Sequence, residues 1–156
     1  MTQGVQTSYE QNILKGYPGQ IADLQPKIIL SGDCELAPGA IPFGKAITYG
    51  TDPDRQVRIP SDEDAIGISI RDLARENDAN GVAQYEEGET VGYMKNGYVY
   101  CEIDGTGVRG DALTYIASDG QLSTAAADAT HIALNARLDE ECATTGDLCR
   151  VYVFID

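Results

Sequence analysis

Tryptophan is absent from this 156-residue chain, histidine occurs once, and Lys plus Arg number only 11 against 25 Asp plus Glu. The shortage of cations leaves a net charge of -14. A protein that grips duplex nucleic acid neutralises phosphates with Lys and Arg, so this balance argues against direct nucleic-acid binding. An anionic membrane surface is disfavoured for the same reason. No apolar run approaches the ~20 residues of a spanning helix, and Met1-Thr2-Gln3-Gly4-Val5 lacks the basic-then-apolar start of a signal peptide. The four cysteines include no CxxC pair, and a single His cannot complete the usual zinc spacings, so no metal site is expected. No GxSxG nucleophile elbow occurs either. What is present is an ordinary 42% hydrophobic and 23% charged composition in a length suited to one soluble domain.

The charge is uneven. Glu10 and Asp23 balance Lys15 and Lys27 within residues 1–30, so residues 31–156 carry the whole surplus. A neutral leader on an acidic body suggests two surfaces, one that touches a partner and one that keeps copies apart in water.

Period two dominates the pattern. Val99, Cys101 and Ile103 alternate with Tyr98, Tyr100 and Glu102, which predicts a half-buried strand with Cys101 as a small core residue. Thr90 to Lys95 alternates as well, and Asn96-Gly97 between the two runs predicts a tight hairpin. A second hairpin is expected from Ala112–Ala117 through Ser118-Asp119-Gly120 to Gln121–Ser123. Ile132, Leu134, Ala136 and Leu138 mark another strand, and Val151–Ile155 the last. Shorter candidates are Phe43–Tyr49, Gln56–Ile59, Ala65–Ile70 and Val82–Tyr85, with Ser69–Asn77 the best place for a helical turn. Many short strands separated by turns predict an all-β fold, a small antiparallel barrel or sandwich. Tyr9, Ile13, Leu14, Tyr17, Ile21 and Leu24 follow neither period, and Gly16-Tyr17-Pro18-Gly19 interrupts any helix. Residues 1–30 are therefore expected to be an extended arm and residues 31–156 a single β-rich body.

Signs of chemistry are few. Gly105-Thr106-Gly107-Val108-Arg109-Gly110 matches GxGxxG, but a strand pattern follows where a dinucleotide site needs a helix, so it reads as a turn. His131 lies opposite the apolar face of its strand and reads as a surface residue. Asp62-Glu63-Asp64, Glu86-Glu87-Gly88-Glu89 and Asp139-Glu140-Glu141 fall between strands and read as solvated loops. Cys142 and Cys149 bracket a loop that a disulfide could close, while the missing secretion signal favours free thiols. No catalytic residue, cofactor or enzyme activity is expected.

Several segments in order resemble the structural cement (head decoration) proteins of tailed phages. They are Tyr17–Asp23, Ala40–Ala46, Gln56–Pro60, Ala65–Ser69, Tyr85–Val91 with Asn96-Gly97, Gly110–Tyr115 with Asp119-Gly120, and Val151–Ile155. The resemblance implies a non-enzymatic protein, made in the host cytoplasm, that sits on the outer surface of the virion capsid. There it would brace neighbouring major capsid protein subunits, with self-association as a homotrimer or a dimer. It also implies that Tyr9, Ile13, Leu14, Tyr17, Pro18 and Ile21 touch the shell or a neighbouring protomer. The alternative is a β-barrel carbohydrate- or receptor-binding module, with Tyr98, Tyr100 and Tyr152 as its platform.

Overall fold

A computed structural model describes residues 15–35, 39–75 and 83–156. Eleven strands make up its regular structure: β1 (Ile28–Cys34), β2 (Ile41–Pro42), β3 (Ala46–Tyr49), β4 (Gln56–Arg58), β5 (Gly67–Ser69), β6 (Gln84–Tyr85), β7 (Thr90–Asp104), β8 (Ala112–Ile116), β9 (Leu122–Ser123), β10 (His131–Leu138) and β11 (Leu148–Phe154). No helix occurs among the described residues. Within Ser69–Asn77, Asp72–Arg75 makes a turn closed by Arg75 N–H on the Asp72 carbonyl at 3.3 Å. The all-β expectation holds.

Nine strands join in the order β1-β4-β3-β5-β7-β11-β10-β8-β9, and β7 also pairs with both β1 and β9. These pairings trace two closed circuits that share β7. Each surrounds its own apolar core. Ile47, Val57, Val91 and Tyr93 belong to one, with Phe43 and Tyr85 packed edge to face at 5.1 Å. Val99, Cys101, Ile103, Tyr115, Leu134, Val151 and Val153 belong to the other. Closing the ladders removes most of the unpaired strand edges that would otherwise recruit other chains.

The expected hairpin at Asn96-Gly97 is absent. Thr90–Asp104 is one continuous 15-residue strand, and Asn96-Gly97 lies in its middle. Here β1 slips register, with Ile28 opposite Asn96 but Ile29 opposite Met94, and Gly97 adopts φ +137°. Tyr93 points into the first core while Met94, beside it, points into the second. Adjacent residues of a strand face opposite ways, so β7 lies between the cores at this point and then serves the second with Val99, Cys101 and Ile103. A glycine with positive φ is compatible with a bulge as well as with a hairpin turn, and long-range pairing selects the bulge here.

Other strands follow the pattern more closely. Leu134, Ala136 and Leu138 of β10 are buried and alternate with exposed residues. The Ser118-Asp119-Gly120 turn connects β8 to β9 as expected. The final strand begins earlier than Val151, because Leu148, Cys149 and Arg150 pair with Glu102, Cys101 and Tyr100.

Few polar links join the two circuits, and all are specific. Ala46 N–H bonds to the Gly120 carbonyl at 2.9 Å, and Lys45 to the Gln121 side chain. Tyr115, fully buried in the second core, donates its hydroxyl to the Glu63 carbonyl in the β4–β5 loop. Burial, with the nearby Glu63 charge, pushes that phenol up to about 12, so it remains a donor. The same loop is held by the Glu63 carboxylate, which accepts from the Ser61 and Asp62 N–H groups and pairs with Arg58. These contacts, the Ser61 N–H foremost, lower the Glu63 carboxyl to about 2.

Two outcomes follow for stability. A Cβ at Gly97 would lie 2.9 Å from Lys27 Cβ and 3.0 Å from Met94 Sδ, in a conformation L residues resist. Gly97→Ala should therefore lower unfolding free energy by roughly 1–3 kcal/mol; an unchanged urea midpoint would show that residue 97 is not a constrained pivot. Glu63 has a depressed folded pKa, so its contribution is complete above the unfolded value of about 4.3. It is lost as pH falls through about 2. Glu63→Gln should flatten the decline of the melting temperature across that window, and identical slopes for the two proteins would contradict the loop's role.

Candidate functional site

The residues able to carry chemistry are dispersed. All four cysteines are buried free thiols. Burial, then the charge of Glu89, raises the Cys34 thiol to about 11, while burial and the Cys142 thiol raise Cys149 to about 12. Neither is a nucleophile near neutral pH. His131 Nδ1 lies 3.1 Å from Asp128, whose carboxylate also accepts from the backbone N–H groups of Thr130 and His131. That arrangement caps a turn, and its hydrogen bonds, the Thr130 N–H first, hold the Asp128 carboxyl well below its usual range.

Gly105–Gly110 forms a turn before β8, bonded to the β10–β11 loop through Gly107 N–H on the Cys142 carbonyl at 3.0 Å. Of the acidic runs, Glu89 is tied to Arg75, and Asp139 to Arg150 and Arg109. Among the described residues no group of three or more His, Cys, Asp or Glu side chains is placed to hold a metal ion. A cleft of about 440 Å³ lined by Tyr49, Ile66, Lys95, Leu134 and Asp156 includes neither His131 nor any cysteine.

Three of the six residues expected to make contacts, Tyr9, Ile13 and Leu14, lie outside the described residues. The other three belong to one short structure. Tyr17-Pro18-Gly19-Gln20 makes a tight turn, closed by Gln20 N–H on the Tyr17 carbonyl at 3.0 Å, with Gly19 at φ +76°. Proline at the second position and a positive-φ glycine at the third are the type II signature. Gly19 is required for a second reason: a Cβ there would lie 2.8 Å from the Arg71 backbone nitrogen.

The chain then runs along β7. Gly19 and Ala22 donate to the Tyr100 and Tyr98 carbonyls, and Tyr100 N–H returns to Gln20. Ile21 pairs with Val99 and packs against the second core, so it turns inward. Tyr17 remains half exposed, with the Arg71 guanidinium 4.8 Å over its ring. The missing period has a plain cause: this segment alternates for only about three residues before turning away.

This segment completes a face that local sequence does not reveal. Register places Ala22, Tyr98, Tyr152 and Arg137 in one row across the sheet, and Gln20, Tyr100, Arg150 and Asp139 in the next. On the other side of the first row, Ile28 and Phe154 both oppose Asn96. Tyr98 and Tyr152 stack at 4.9 Å, Tyr152 and Phe154 at 5.5 Å, and Arg137 sits 5.6 Å over Phe154. Asp139 is the only carboxylate in these three rows, and Arg150 and Arg109 both bond to it. Because Tyr98 and Tyr152 turn their rings towards each other, they make a poor flat platform for a sugar. The alternation of Tyr98 and Tyr100 was the available signal for this face; the contribution of β10 and of residues 20–22 had none.

Comparison with known proteins places this architecture. The family model described as "Structural cement protein (E217 gp24/Pam3 gp6)" matches residues 5–153. A chain in the structure of the capsid of Myoviridae phage XM1 superposes with a TM-score of 0.72 at 12% identity, covering 97% of this chain and 98% of that one. At that identity the likeness is one of fold. The head fibre gp8.5 N base of bacteriophage phi29 is a looser match, with a TM-score of 0.44 and 11% identity over 82% of this chain and 94% of that one. No curated protein sequence matches significantly.

Proposed function

This chain belongs to the phage structural cement protein family, a structural component of the virion capsid, and on that premise we propose that it binds the outer surface of the assembled head and braces neighbouring major capsid subunits. The observation that carries the reading is the family match over residues 5–153, nearly the whole chain. The physical character of the molecule supports it. A protein that joins the outside of a closed shell needs no cationic surface for packaged DNA, and its net charge of -14 keeps free copies dispersed. Its thiols are buried, and Glu89 and Asp139 of its acidic runs are tied to arginines, which suits a non-enzymatic role.

Within this reading the protein is made in the host cytoplasm and acts as a homotrimer, a number suited to three-fold positions on a head. Tyr9, Ile13, Leu14, Tyr17, Pro18 and Ile21 form the contact segment. Tyr17 offers an exposed ring to the partner, while Pro18 and Ile21 set its position through the turn and the Val99 pairing. Residues 1–30 carry no net charge, because Lys15 and Lys27 balance Glu10 and Asp23, so the segment approaches a shell without a surplus of charge of either sign.

Co-sedimentation with heads lacking the protein tests the assignment. Full-length protein should pellet with such heads and raise their resistance to heat. Replacing Tyr9, Ile13, Leu14 and Tyr17 together by Ala should leave the melting temperature of the free protein nearly unchanged. It should also weaken pelleting by about tenfold or more. Undiminished pelleting would rule out the contact segment, and heads no more heat-resistant with the protein than without it would refute bracing.

A further inference from the structure

The surface of this acidic protein is not acidic throughout. Asp52, Asp54, Asp62, Asp64, Glu86, Glu87, Asp119 and Glu141 are exposed in loops, and Glu102 is exposed on β7 one row beyond Tyr100. The three rows of the β7–β11–β10 face contain one carboxylate, Asp139, and two arginines neutralise it. Arg137 is exposed and has no carboxylate partner among the described residues; its guanidinium lies over Phe154. Lys27 immediately precedes Ile28 at the margin of the face. This region therefore carries a local cationic surplus on a chain of net charge -14. It also holds the Tyr98–Tyr152–Phe154 stack, and Ile28 beside it is 53% exposed. Partly buried aromatic side chains capped by an arginine are the composition of a contact surface rather than of a solvated one.

We propose that this face, centred on Tyr152 and Arg137, is a second docking surface through which the protein seats on the capsid shell. The shell patch it fits is apolar with exposed carboxylates. The assignment rests on the cement reading above and extends it from the N-terminal segment to the body.

Two observations point to the shell rather than to another copy. The first is charge: the face fits an acidic patch, and a second copy meeting it face to face would present the same unpaired Arg137. The second is continuity. Gln20 and Ala22 are the outermost column of this face, and Gly16 lies against the Tyr100 ring, so the contact segment leads directly onto it. One partner can cover both without the chain rearranging.

The test compares two full-length variants with wild type. Arg137→Glu reverses the exposed cation and Tyr152→Asp removes the centre of the stack; neither alters a core position, because their neighbours Ala136, Val151 and Val153 face inward. Glu87→Lys, on an acidic loop, is the control. Melting temperature and mass of the free protein are measured beside pelleting with heads that lack it. Arg137→Glu should weaken pelleting by about tenfold or more with mass and melting temperature unchanged, and wild-type pelleting should fall as salt rises. Tyr152→Asp should behave likewise, and Glu87→Lys should pellet as wild type. Undiminished pelleting by Arg137→Glu would overturn the proposal. So would a drop in the mass of the free variant, which would assign the face to a second copy. Wild-type protein that fails to pellet would overturn the cement reading itself, a result distinct from either.

Discussion

A single strand serving two cores is the constraint on which the rest of this structure depends. Successive residues of a strand alternate sides, so a strand can face one core indefinitely but can change cores only where its geometry is locally broken. In β7 the break lies between Met94 and Gly97, where β1 shifts register and Gly97 takes a conformation costly for any other residue. Upstream, Val91 and Tyr93 fill the first core; downstream, Val99, Cys101 and Ile103 fill the second. Two small cores would each be marginal alone, since a short chain buries too little surface to offset its conformational entropy. Sharing a strand makes them one cooperative unit, and the Tyr115–Glu63 and Ala46–Gly120 hydrogen bonds lock them together.

The same strand organises the outside. Its downstream half is flanked by β11 on one edge, and residues 19–22 bond to Tyr98 and Tyr100 through the main-chain groups that β11 leaves free. A broad face results, while the turns bear most of the exposed carboxylates. For a protein that must stay dispersed when free and adhere when it meets a shell, this separation has a direct physical use. Net negative charge repels copies at long range, and an aromatic face with a local cationic surplus adheres at short range.

Much of the interior was legible from local sequence. Alternation at Tyr98–Ile103 and at Ile132–Leu138 identified which side chains are buried, because half-buried strands impose that period wherever they occur. Gly105–Gly110 was recognisable as a turn from the strand that follows it. Asn96-Gly97 was misleading, because the dipeptide reports a tolerance for positive φ and not the purpose to which that φ is put. Residues 17–22 were illegible for a different reason. They pair for only three residues, too short a span for any period to emerge, although Pro18-Gly19 did mark their turn.

The amino-acid sequence alone determined the strand-rich class, the buried face of each long strand, the acidic solvated loops and, through the order of its short segments, the kinship with phage cement proteins. These follow from composition, period and turn chemistry, which act between near neighbours. Tertiary structure alone decided that β7 runs unbroken through Asn96-Gly97, that two cores share it, and that Tyr98, Tyr152, Phe154 and Arg137 meet on one face. Those outcomes depend on strands distant in the chain competing for the same backbone hydrogen bonds, and no local stretch of residues contains that competition.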